Sequence, residues 1–397
     1  MISEVKIMTS GKIEEKMNSW DKLENNAESR EKIWSKNRTF LGDVWFRFRR
    51  KPTAIAGFVV IVMVVLFSVV GPKLISHTYD EQNLDFVNIP PFFNVYEVNG
   101  GYVYVTSNMK AVEVSKDGKL IGALERIKDD TKNKIITFKF KEDVVKVNYS
   151  KKPAAAMDEN GNKMGTVFMR NKTYLLGSDG LGRDMTARLM LGSKISLIVA
   201  FIAAAVNLII GIFYGGISAY MGGKVDSVMM RIVDIISTLP LTLYVILIMV
   251  LLKSQSGLLS IIIALGSVYW VNMARVVRGE ILSLKERDFV YAAKTIGSST
   301  WTILTRHLIP NAMGPILVTV TMLIPSAIFM EAFLSFIGLG VSAPMASLGT
   351  MCNDAIETLR ILPYQLFIPS LVICIIMFAF NFVGDGLRDA LDPKLKR

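Results

Sequence analysis

Residues 54–70, AIAGFVVIVMVVLFSVV, form an apolar run without a single charged side chain. A helix that crosses the hydrocarbon core of a bilayer needs about 18 or more consecutive apolar residues. This run is close to that length, and basic residues at 47–51 (RFRRK) precede it, while GPK follows it. Its length and its charged flanks predict a membrane-spanning helix and not a buried helix of a soluble core.

Five further apolar runs follow the first one along the chain. They lie at about 195–214, 232–252, 257–274, 314–338 and 365–383. Over the 397 residues, 51% are hydrophobic, and the mean hydropathy is +0.41, which is too apolar for an ordinary soluble protein. The sequence therefore predicts an all-α integral membrane protein with six transmembrane helices.

The distribution of Lys and Arg predicts the orientation of the chain. Basic residues concentrate before the first span, between spans four and five, and at the C-terminus, whereas the 339–364 loop contains only Arg360. Because short cytoplasmic loops carry the excess of Lys and Arg, both termini and the loop at about 275–313 are expected in the cytoplasm. The net charge of +11 is largely explained by this topology, so we expect no nucleic-acid partner.

The organisation predicted from these patterns has five parts. More than 50 residues, both acidic and basic, precede the first span, which argues against a secretory signal. The parts are a charged cytoplasmic tail at 1–40, the first transmembrane segment with its basic flank at 41–72, an extracytoplasmic region at 73–193, a five-helix core at 194–384, and a cytoplasmic C-terminal tail at 385–397.

A small β-rich insertion is predicted at about 95–172, between helices one and two. The stretch alternates apolar and polar residues and is interrupted by the turn-forming pairs Asn99-Gly100, Asp117-Gly118 and Asn160-Gly161. Alternation with period two and such pairs are typical of β-hairpins. The insertion is expected to act as a packing or docking module, with substrate contact as the alternative.

Motifs for catalysis, metal binding and nucleotide binding are missing from the sequence. The only histidines, His77 and His307, lie on opposite sides of the predicted membrane, and Cys352 and Cys374 imply no disulfide framework. GSKIS at 192–196 is not a phosphate-binding loop, and GSDGLGRD at 177–184 is expected to form a tight turn before an amphipathic helix that leads into span two. We therefore expect no enzyme, cofactor or metal site, and any ATP must be bound by another chain.

The loop between spans four and five contains YAAKTIGSSTWTILTRHLIPN at residues 291–311. Its residues predict two short helices hinged near Gly297-Ser298-Ser299, because glycine permits a sharp change of direction. A loop of about 40 residues is long for a simple connector. Such a helix pair is suited to press into a groove on a partner protein, whereas the simpler interpretation is a solvated connection.

This segment resembles the EAA loop of permease subunits in binding-protein-dependent ABC importers. Ala292, Ala293, Gly297 and Pro310 fall in register with that pattern. Three residues depart from it: Tyr291 stands where the family has Glu, His307 where it has Ile, and Ile309 where it has Leu. The resemblance implies that this loop docks into a cleft of a cytoplasmic ATPase, and the missing Glu leaves open what contact its carboxylate would make.

Other blocks narrow the resemblance to the C-type permease subunit of oligopeptide and dipeptide importers. They include FRRKPTAIAGFVV, LLGSDGLGRDMTARLMLGSKISL, DIISTLPLTL and EAFLSFIGLGVSAPMASLGTM, and the β-rich insertion interrupts the pattern between IPPF and YLLGSDG. The resemblance implies peptide import across a bacterial cell membrane. The implied partners are a homologous permease, two cytoplasmic ATPase subunits and an extracytoplasmic binding protein. Nickel or another small solute is the alternative cargo.

Glu331, Pro240 and Pro325 are the candidate residues of a translocation path. A carboxylate within span five is costly unless it faces protein or water, so Glu331 either lines the path or makes a hydrogen bond to a neighbouring helix. Pro240 and Pro325 interrupt helical hydrogen bonding and predict kinks, either gating or rigid. Asp234, near the inner end of span three, is expected to be an interfacial residue with a local partner such as Arg231.

Two other classes of membrane protein fit the sequence less well. A secondary transporter working alone is expected to show intramembrane charge pairs or an inverted repeat, and spans one to three show no convincing similarity to spans four to six. A membrane-embedded enzyme would need clustered His, Asp or Ser side chains at one depth, and the sequence shows no such cluster.

Overall fold

The computed structural model describes residues 40–391, with gaps at 99, 151–153, 159–160 and 253–256. The predicted tails up to residue 39 and from 392 onward, and Asn99 and Asn160 of the predicted turns, lie outside the described residues. The chain divides into two units between Phe46 and Arg47, and every contact described below lies within the second unit.

The helices and strands follow one another in the order helix, sheet, helix. The helices are α1 (Phe40–Arg49), α2 (Pro52–Val69), α3 (Met185–Met221), α4 (Gly223–Ser237), α5 (Leu241–Leu252), α6 (Gly257–Gly266), α7 (Trp270–Leu284), α8 (Asp288–Thr295), α9 (Thr300–Thr302), α10 (Ile309–Phe336), α11 (Leu348–Asp354) and α12 (Tyr364–Leu391). The strands are β1 (Phe92–Val98), β2 (Gly101–Val105), β3 (Ala111–Val114), β4 (Leu120–Ala123), β5 (Arg126–Asp130), β6 (Ile135–Phe140), β7 (Asp143–Asn148), β8 (Ala155–Met157) and β9 (Thr166–Arg170).

Among the described residues, five helical segments are long and apolar enough to cross a bilayer. They are Pro52–Lys73, Met185–Met221, Gly257–Leu284, Thr300–Phe336 and Tyr364–Leu391. A sixth candidate is the pair α4 and α5, which is bent by 85°. The helical membrane fold is thus confirmed, with five candidate spans, or up to six if the bent pair is one span.

The bend between α4 and α5 lies at Pro240 and confirms the kink predicted there, so the apolar run at 232–252 is divided between two helices. Helix α4 ends at Ser237 and α5 begins at Leu241, directly after Pro240. Proline has no N–H to donate and disfavours helical backbone in the residue before it. The hydroxyls of Ser237 and Thr238 donate to the carbonyls of Val233 and Ile235 at the end of α4, so the ladder ends there.

Helix α3 is the longest single helix of the described chain, with 37 residues. At 1.5 Å per residue it measures about 55 Å, well beyond the roughly 30 Å hydrocarbon thickness. The expected amphipathic helix before span two is therefore not a separate element, because it continues into the span without a break. Asp184 begins the helix by accepting the Thr186 N–H at 2.7 Å, an N-cap arrangement.

Helices α3 and α7 approach each other closely through glycine. A Cβ on Gly211 would collide with the Met273 side chain at its Cγ and lie 3.2 Å from the Ala274 nitrogen. A Cβ on Gly215 would collide with the Ala274 carbonyl oxygen and lie 3.0 Å from the Val277 Cβ. Small residues at helix contacts in membranes permit this backbone approach, and they hold α3 against the segment that leads to the predicted loop.

The β-rich insertion is confirmed, with strands from 92 to 170 where the sequence predicted about 95–172. One sheet has the order β4-β3-β2-β1-β9 and the other β5-β6-β7-β8, with antiparallel pairing throughout. Buried side chains from both sheets, among them Val103, Phe138 and Val147, form a shared core. The alternation predicted from the sequence is the alternation between this core and the exposed faces.

The base of the insertion is hydrogen-bonded to the helices. The Tyr364 hydroxyl, at the start of α12, donates to the Ile89 carbonyl at 3.2 Å. The Gln365 amide donates to Asn88 Oδ1 at 3.0 Å and to the Ser178 carbonyl at 2.9 Å. These bonds place the segment before β1 and the segment after β9 against the same helix end.

Candidate functional site

The predicted hinge in the loop lies at Gly297, between α8 and α9. Gly297 has φ of +80°, the region that glycine adopts without a steric penalty. The Gly297 N–H donates to the Lys294 carbonyl at 3.0 Å, and the Ser298 N–H to the Ala293 carbonyl at 3.0 Å, which closes the C-terminus of α8. Ser299 then caps the next helix by accepting the Thr302 N–H at 3.2 Å.

The second helix of the predicted pair is not short. The chain runs from Thr300 through a π-helical turn at Ile303–Leu308 and on to Phe336 as one spanning segment. Pro310, which has no N–H to donate, is the second residue after this wider turn. His307 on the turn and Ile309 just after it are half-buried, and Pro310 is exposed. The loop is therefore one short helix joined by a glycine turn to the end of a span.

Helix α8 is anchored by its apolar face. Val290 is fully buried and Ala293 nearly so. They belong to one cluster with Ala219 of α3, Ile281 of α7 and Leu304 of the π-helical turn. The cluster therefore connects α8 with three other elements of the bundle.

The opposite face of this region exposes large apolar side chains. Ile296 is 84% exposed, Trp301 56% and Tyr291 50%, and Ala292 is exposed as well. The Trp301 ring stacks on Phe213 of α3 with centroids 5.9 Å apart. We call residues 286–301 the tip, because this segment joins the buried anchor to an exposed apolar surface.

Polar contacts lock the helices just behind the tip. Arg278 of α7 donates two hydrogen bonds, both of 2.6 Å, to the Asp226 carboxylate of α4. The Ser218 hydroxyl of α3 donates to the same carboxylate at 2.5 Å. The Lys285 ammonium donates to the Ala219 carbonyl at 3.2 Å. A bidentate Arg–carboxylate pair is both strong and directional, so α3, α4 and α7 are fixed to one another here.

Tyr291, the residue that departs from the resemblance, has a carboxylate partner. Its hydroxyl donates to Glu286 Oε2 at 2.8 Å, and this hydrogen bond raises the pKa of the Tyr291 phenol. The Lys294 ammonium lies 5.5 Å from the centroid of the Tyr291 ring, within the range of a cation–π contact.

Glu331 lies inside the bundle, with its side chain fully buried. The Ser196 hydroxyl of α3 donates to Glu331 Oε2 at 2.6 Å, and the Ser335 hydroxyl, one turn further along α10, donates to Oε1 at 2.8 Å. The structure thus shows an interhelical hydrogen bond from α3 to Glu331, and the role of Glu331 in a translocation path stays a prediction.

The other residues singled out in the sequence have varied surroundings. Pro240 lies exposed at the bend before α5, whereas Pro325 is buried and α10 continues through it without a break. The expected Asp234–Arg231 pair is wrong about the partner, because Asp234 Oδ1 accepts from Arg275 of α7 at 3.0 Å. Within the described part of the chain, no group of three or more His, Cys, Asp or Glu could hold a metal ion.

An ion network at the other end of α3 was missed in the sequence; three of its residues are buried, and the fourth, Asp354, has a side chain that is 44% exposed. Asp179 Oδ2 accepts from Arg183 Nε at 2.7 Å and from Arg188 Nη1 at 2.5 Å. Asp354 Oδ2, at the end of α11, accepts from Arg188 at 2.9 Å and from Arg183 at 3.4 Å. We call these four residues the ion network. The GSDGLGRD turn supplies two of them, but Asp354 is far away in sequence and gave no signal.

Two family models match the chain. Residues 207–397 match "Binding-protein-dependent transport system inner membrane component", and residues 39–91 match "N-terminal TM domain of oligopeptide transport permease C". These ranges lie on either side of the β-rich insertion.

Curated relatives match over much longer stretches. The oligopeptide transport system permease protein OppC of Bacillus subtilis (strain 168) is 37% identical over 380 residues, which cover 96% of this chain and 98% of the relative. The dipeptide transport system permease protein DppC of Lactococcus lactis subsp. cremoris is 39% identical over 373 residues, 93% of this chain and 94% of the relative. The chain therefore belongs to the family of binding-protein-dependent ABC importer permeases, in its C-type oligopeptide and dipeptide branch.

Proposed function

We propose that this chain and a homologous permease together enclose a path for peptides, and that the tip couples this path to two cytoplasmic ATPase subunits. The observation that carries the proposal is the tip itself, in which Ile296, Trp301 and Tyr291 are exposed while Val290 and Ala293 are buried against the spans. A surface that exposes large apolar side chains on a rigid support fits a protein partner.

The contacts of the tip supply a physical route for this coupling. Closure of the ATPases against the exposed face would push α8, whose buried face lies in one apolar cluster with residues of α3, α7 and the π-helical turn. The Asp226–Arg278 pair ties α4 to α7 at the same level. The helix ends would then move together as a rigid group, because packed cores transmit displacements and do not absorb them.

Peptide cargo is supported by the oligopeptide and dipeptide relatives. In this proposal a binding protein delivers the peptide on the extracytoplasmic side, where residues 73–193 and the β-rich insertion lie. Both termini and the tip face the cytoplasm of a bacterial cell, with the helices in its plasma membrane. The chain is a permease subunit and not an enzyme, and ATP hydrolysis belongs to the separate ATPase subunits.

Reconstituted uptake tests this function directly. The chain, its partner permease and the ATPases would be placed in proteoliposomes with the binding protein, and uptake of labelled di- and oligopeptides would be compared with that of nickel. We expect ATP-dependent peptide uptake that stops when the binding protein is omitted. Uptake without the ATPases would contradict the proposal in favour of a stand-alone transporter, and uptake of nickel alone would refute the peptide cargo.

A further inference from the structure

The base of the β-rich insertion lies beside the end of a span. Tyr364 is the first residue of α12, and its hydroxyl donates to the Ile89 carbonyl at 3.2 Å. One turn further along α12, Phe367 begins a stripe of exposed apolar side chains that continues through Leu371 and Phe378. The apolar part of a span marks the hydrocarbon core of the bilayer. Ile89 therefore lies near the edge of that core.

Phe92 and Phe168 form an exposed aromatic pair just outside this edge. Their rings stack with centroids 5.8 Å apart, and they are 52% and 69% exposed. Phe92 comes three residues after Ile89, so their Cα atoms lie within about 11 Å of each other. The headgroup layer on each side of a bilayer is about 5–8 Å thick. The aromatic pair is therefore within reach of the headgroups.

The register of the sheet places this pair on a face that is only partly covered. Arg170 lies opposite Phe92, and Phe168 is two residues before Arg170 on β9, so the three side chains share one face. Further from the membrane, Tyr96 lies on the same face and its hydroxyl donates to the Ala154 carbonyl at 2.9 Å, just before β8 of the second sheet. The second sheet thus covers the outer part of this face and leaves the part next to the membrane open.

Basic side chains gather around the open part of the face. The turn between β3 and β4 is held beside the end of β9, because the Lys172 N–H donates to the Gly118 carbonyl at 3.0 Å. This turn contains one acidic residue, Asp117. Arg170 and Lys172 form no ion pair with a carboxylate of the described residues. We call the following exposed residues the base patch: Phe92, Phe168, Lys116, Lys119, Arg170 and Lys172.

We infer that the base patch binds anionic phospholipids of the adjoining leaflet. The two aromatic rings enter the headgroup layer, where aromatic side chains of membrane proteins concentrate, and the basic side chains contact the lipid phosphates. This contact fixes the insertion against the membrane surface. The inference depends on the helical membrane fold and not on the cargo or on the ATPases.

Quenching by labelled lipid tests whether the aromatic pair enters the headgroup layer. The full chain with Phe168→Cys and Cys374→Ser would carry a fluorophore at 168, since its remaining cysteine, Cys352, is buried. It would be placed in phosphatidylcholine nanodiscs that contain phosphatidylglycerol with a nitroxide on its headgroup. We expect the label at 168 to lose most of its fluorescence.

A titration with the same labelled phosphatidylglycerol tests the basic side chains. Each Lys or Arg near an anionic membrane surface strengthens binding about fivefold. Arg170→Gln/Lys172→Gln should therefore require at least about fivefold more phosphatidylglycerol for half-maximal quenching at 168. High salt should weaken quenching in the chain that keeps both basic residues, because screening weakens ionic contacts.

The controls lie at the end of the insertion that is far from the base. There Lys141 donates to the Gly100 carbonyl at 3.3 Å, beside the turn that follows β1. Ile127→Cys, at a 56% exposed residue of β5, should show little quenching. Lys128→Gln/Lys139→Gln removes the same charge from exposed residues of the second sheet and should leave the titration at 168 unchanged.

Three results would overturn the inference. The first is a label at 168 that is quenched no more than the label at 127. The second is a Lys128→Gln/Lys139→Gln variant that weakens the titration as much as Arg170→Gln/Lys172→Gln does. The third is quenching at 168 that disappears when the homologous permease is added, which would assign the base patch to a protein contact.

Discussion

The two ends of α3 differ in which side chains around them are buried and which are exposed. At its N-terminal end, Arg183 and Arg188 are buried and their charges are matched by Asp179 and Asp354. At its C-terminal end, the charged Asp226–Arg278 pair lies behind the tip, and the tip exposes Ile296, Trp301 and Tyr291. The charges at the N-terminal end are paired within the chain, whereas the apolar side chains near the C-terminal end are exposed to a possible partner.

This difference assigns different roles to the two ends. Charges that are buried and paired within one chain are costly to separate, so the ion network favours a fixed arrangement of α3 and α11. An exposed apolar side chain contributes little to the stability of the chain that carries it, yet it can dominate binding to a partner. Substitutions at the ion network should therefore lower stability, and substitutions at the tip should lower partner binding.

The largest expected effect is at the ion network. Arg188→Ala removes one of the two arginines that donate to the buried Asp179, which keeps Arg183, and each lost hydrogen bond to a charged group costs about 1.5–3 kcal/mol. The unfolding temperature of the purified variant should therefore fall well below that of the original protein. Lys194→Ala removes an exposed charge from the same helix and should change stability by less than about 0.5 kcal/mol. Equal stability of the two variants would show that the ion network does not hold α3.

A smaller loss of stability is expected at Glu331. Glu331→Ala leaves the Ser196 and Ser335 hydroxyls without their acceptor, which costs about 1–3 kcal/mol, whereas Glu331→Gln keeps an acceptor oxygen and should cost less. Ser326→Ala, at an exposed hydroxyl of the same helix, serves as the control. If Glu331→Gln instead lowers peptide uptake without a change in unfolding temperature, the carboxylate belongs to the path after all.

The smallest effect on stability is expected at the exposed end of the tip. Ile296 is 84% exposed, so Ile296→Ser should alter stability by less than about 0.5 kcal/mol. We expect its ATPase affinity to fall about tenfold, as for a central apolar contact of an interface. Ile121→Ser, at a 58% exposed isoleucine of the insertion, should leave affinity unaltered. Loss of folded protein in Ile296→Ser would contradict the contrast between the two ends.

The features that the sequence predicted well are those coded by neighbouring residues. Apolar runs gave the spans, alternation gave the β-rich insertion, and the glycine in TIGSS gave the turn between α8 and α9. A Cβ built on Gly297 would have no neighbour within 4 Å. Glycine is therefore favoured there by the positive φ of the backbone and not by lack of space. A local pattern is enough to predict such a residue.

The features that the sequence did not predict depend on contacts between distant segments. Asp234 pairs with Arg275, 41 positions away, and Arg188 pairs with Asp354, 166 positions away. No local sequence pattern links residues at such separations. Local helix signals also did not predict that the segment after Gly297 continues into the span. The π-helical turn that connects the two depends on the burial of Ile303 and Leu308 in the tertiary cluster.

The central claim is that the tip transmits ATPase closure to the spans, and Gly297→Val tests it against a matched control. Gly297 and Gly100 have nearly the same φ, +80° and +84°, and neither has a neighbour within 4 Å of a built Cβ. Valine at either position strains the backbone by about 1 kcal/mol or more, so the two variants should fold about equally well.

The measurement is the number of peptides imported per ATP hydrolysed in proteoliposomes that contain the whole transporter. We predict that Gly297→Val assembles with its partner permease but loses most of its ATP-driven uptake, while Gly100→Val imports at the original ratio. If Gly297→Val binds its ATPases and imports peptides as the unmodified chain does, residues 291–311 only connect two spans, and the coupling role of the tip is wrong.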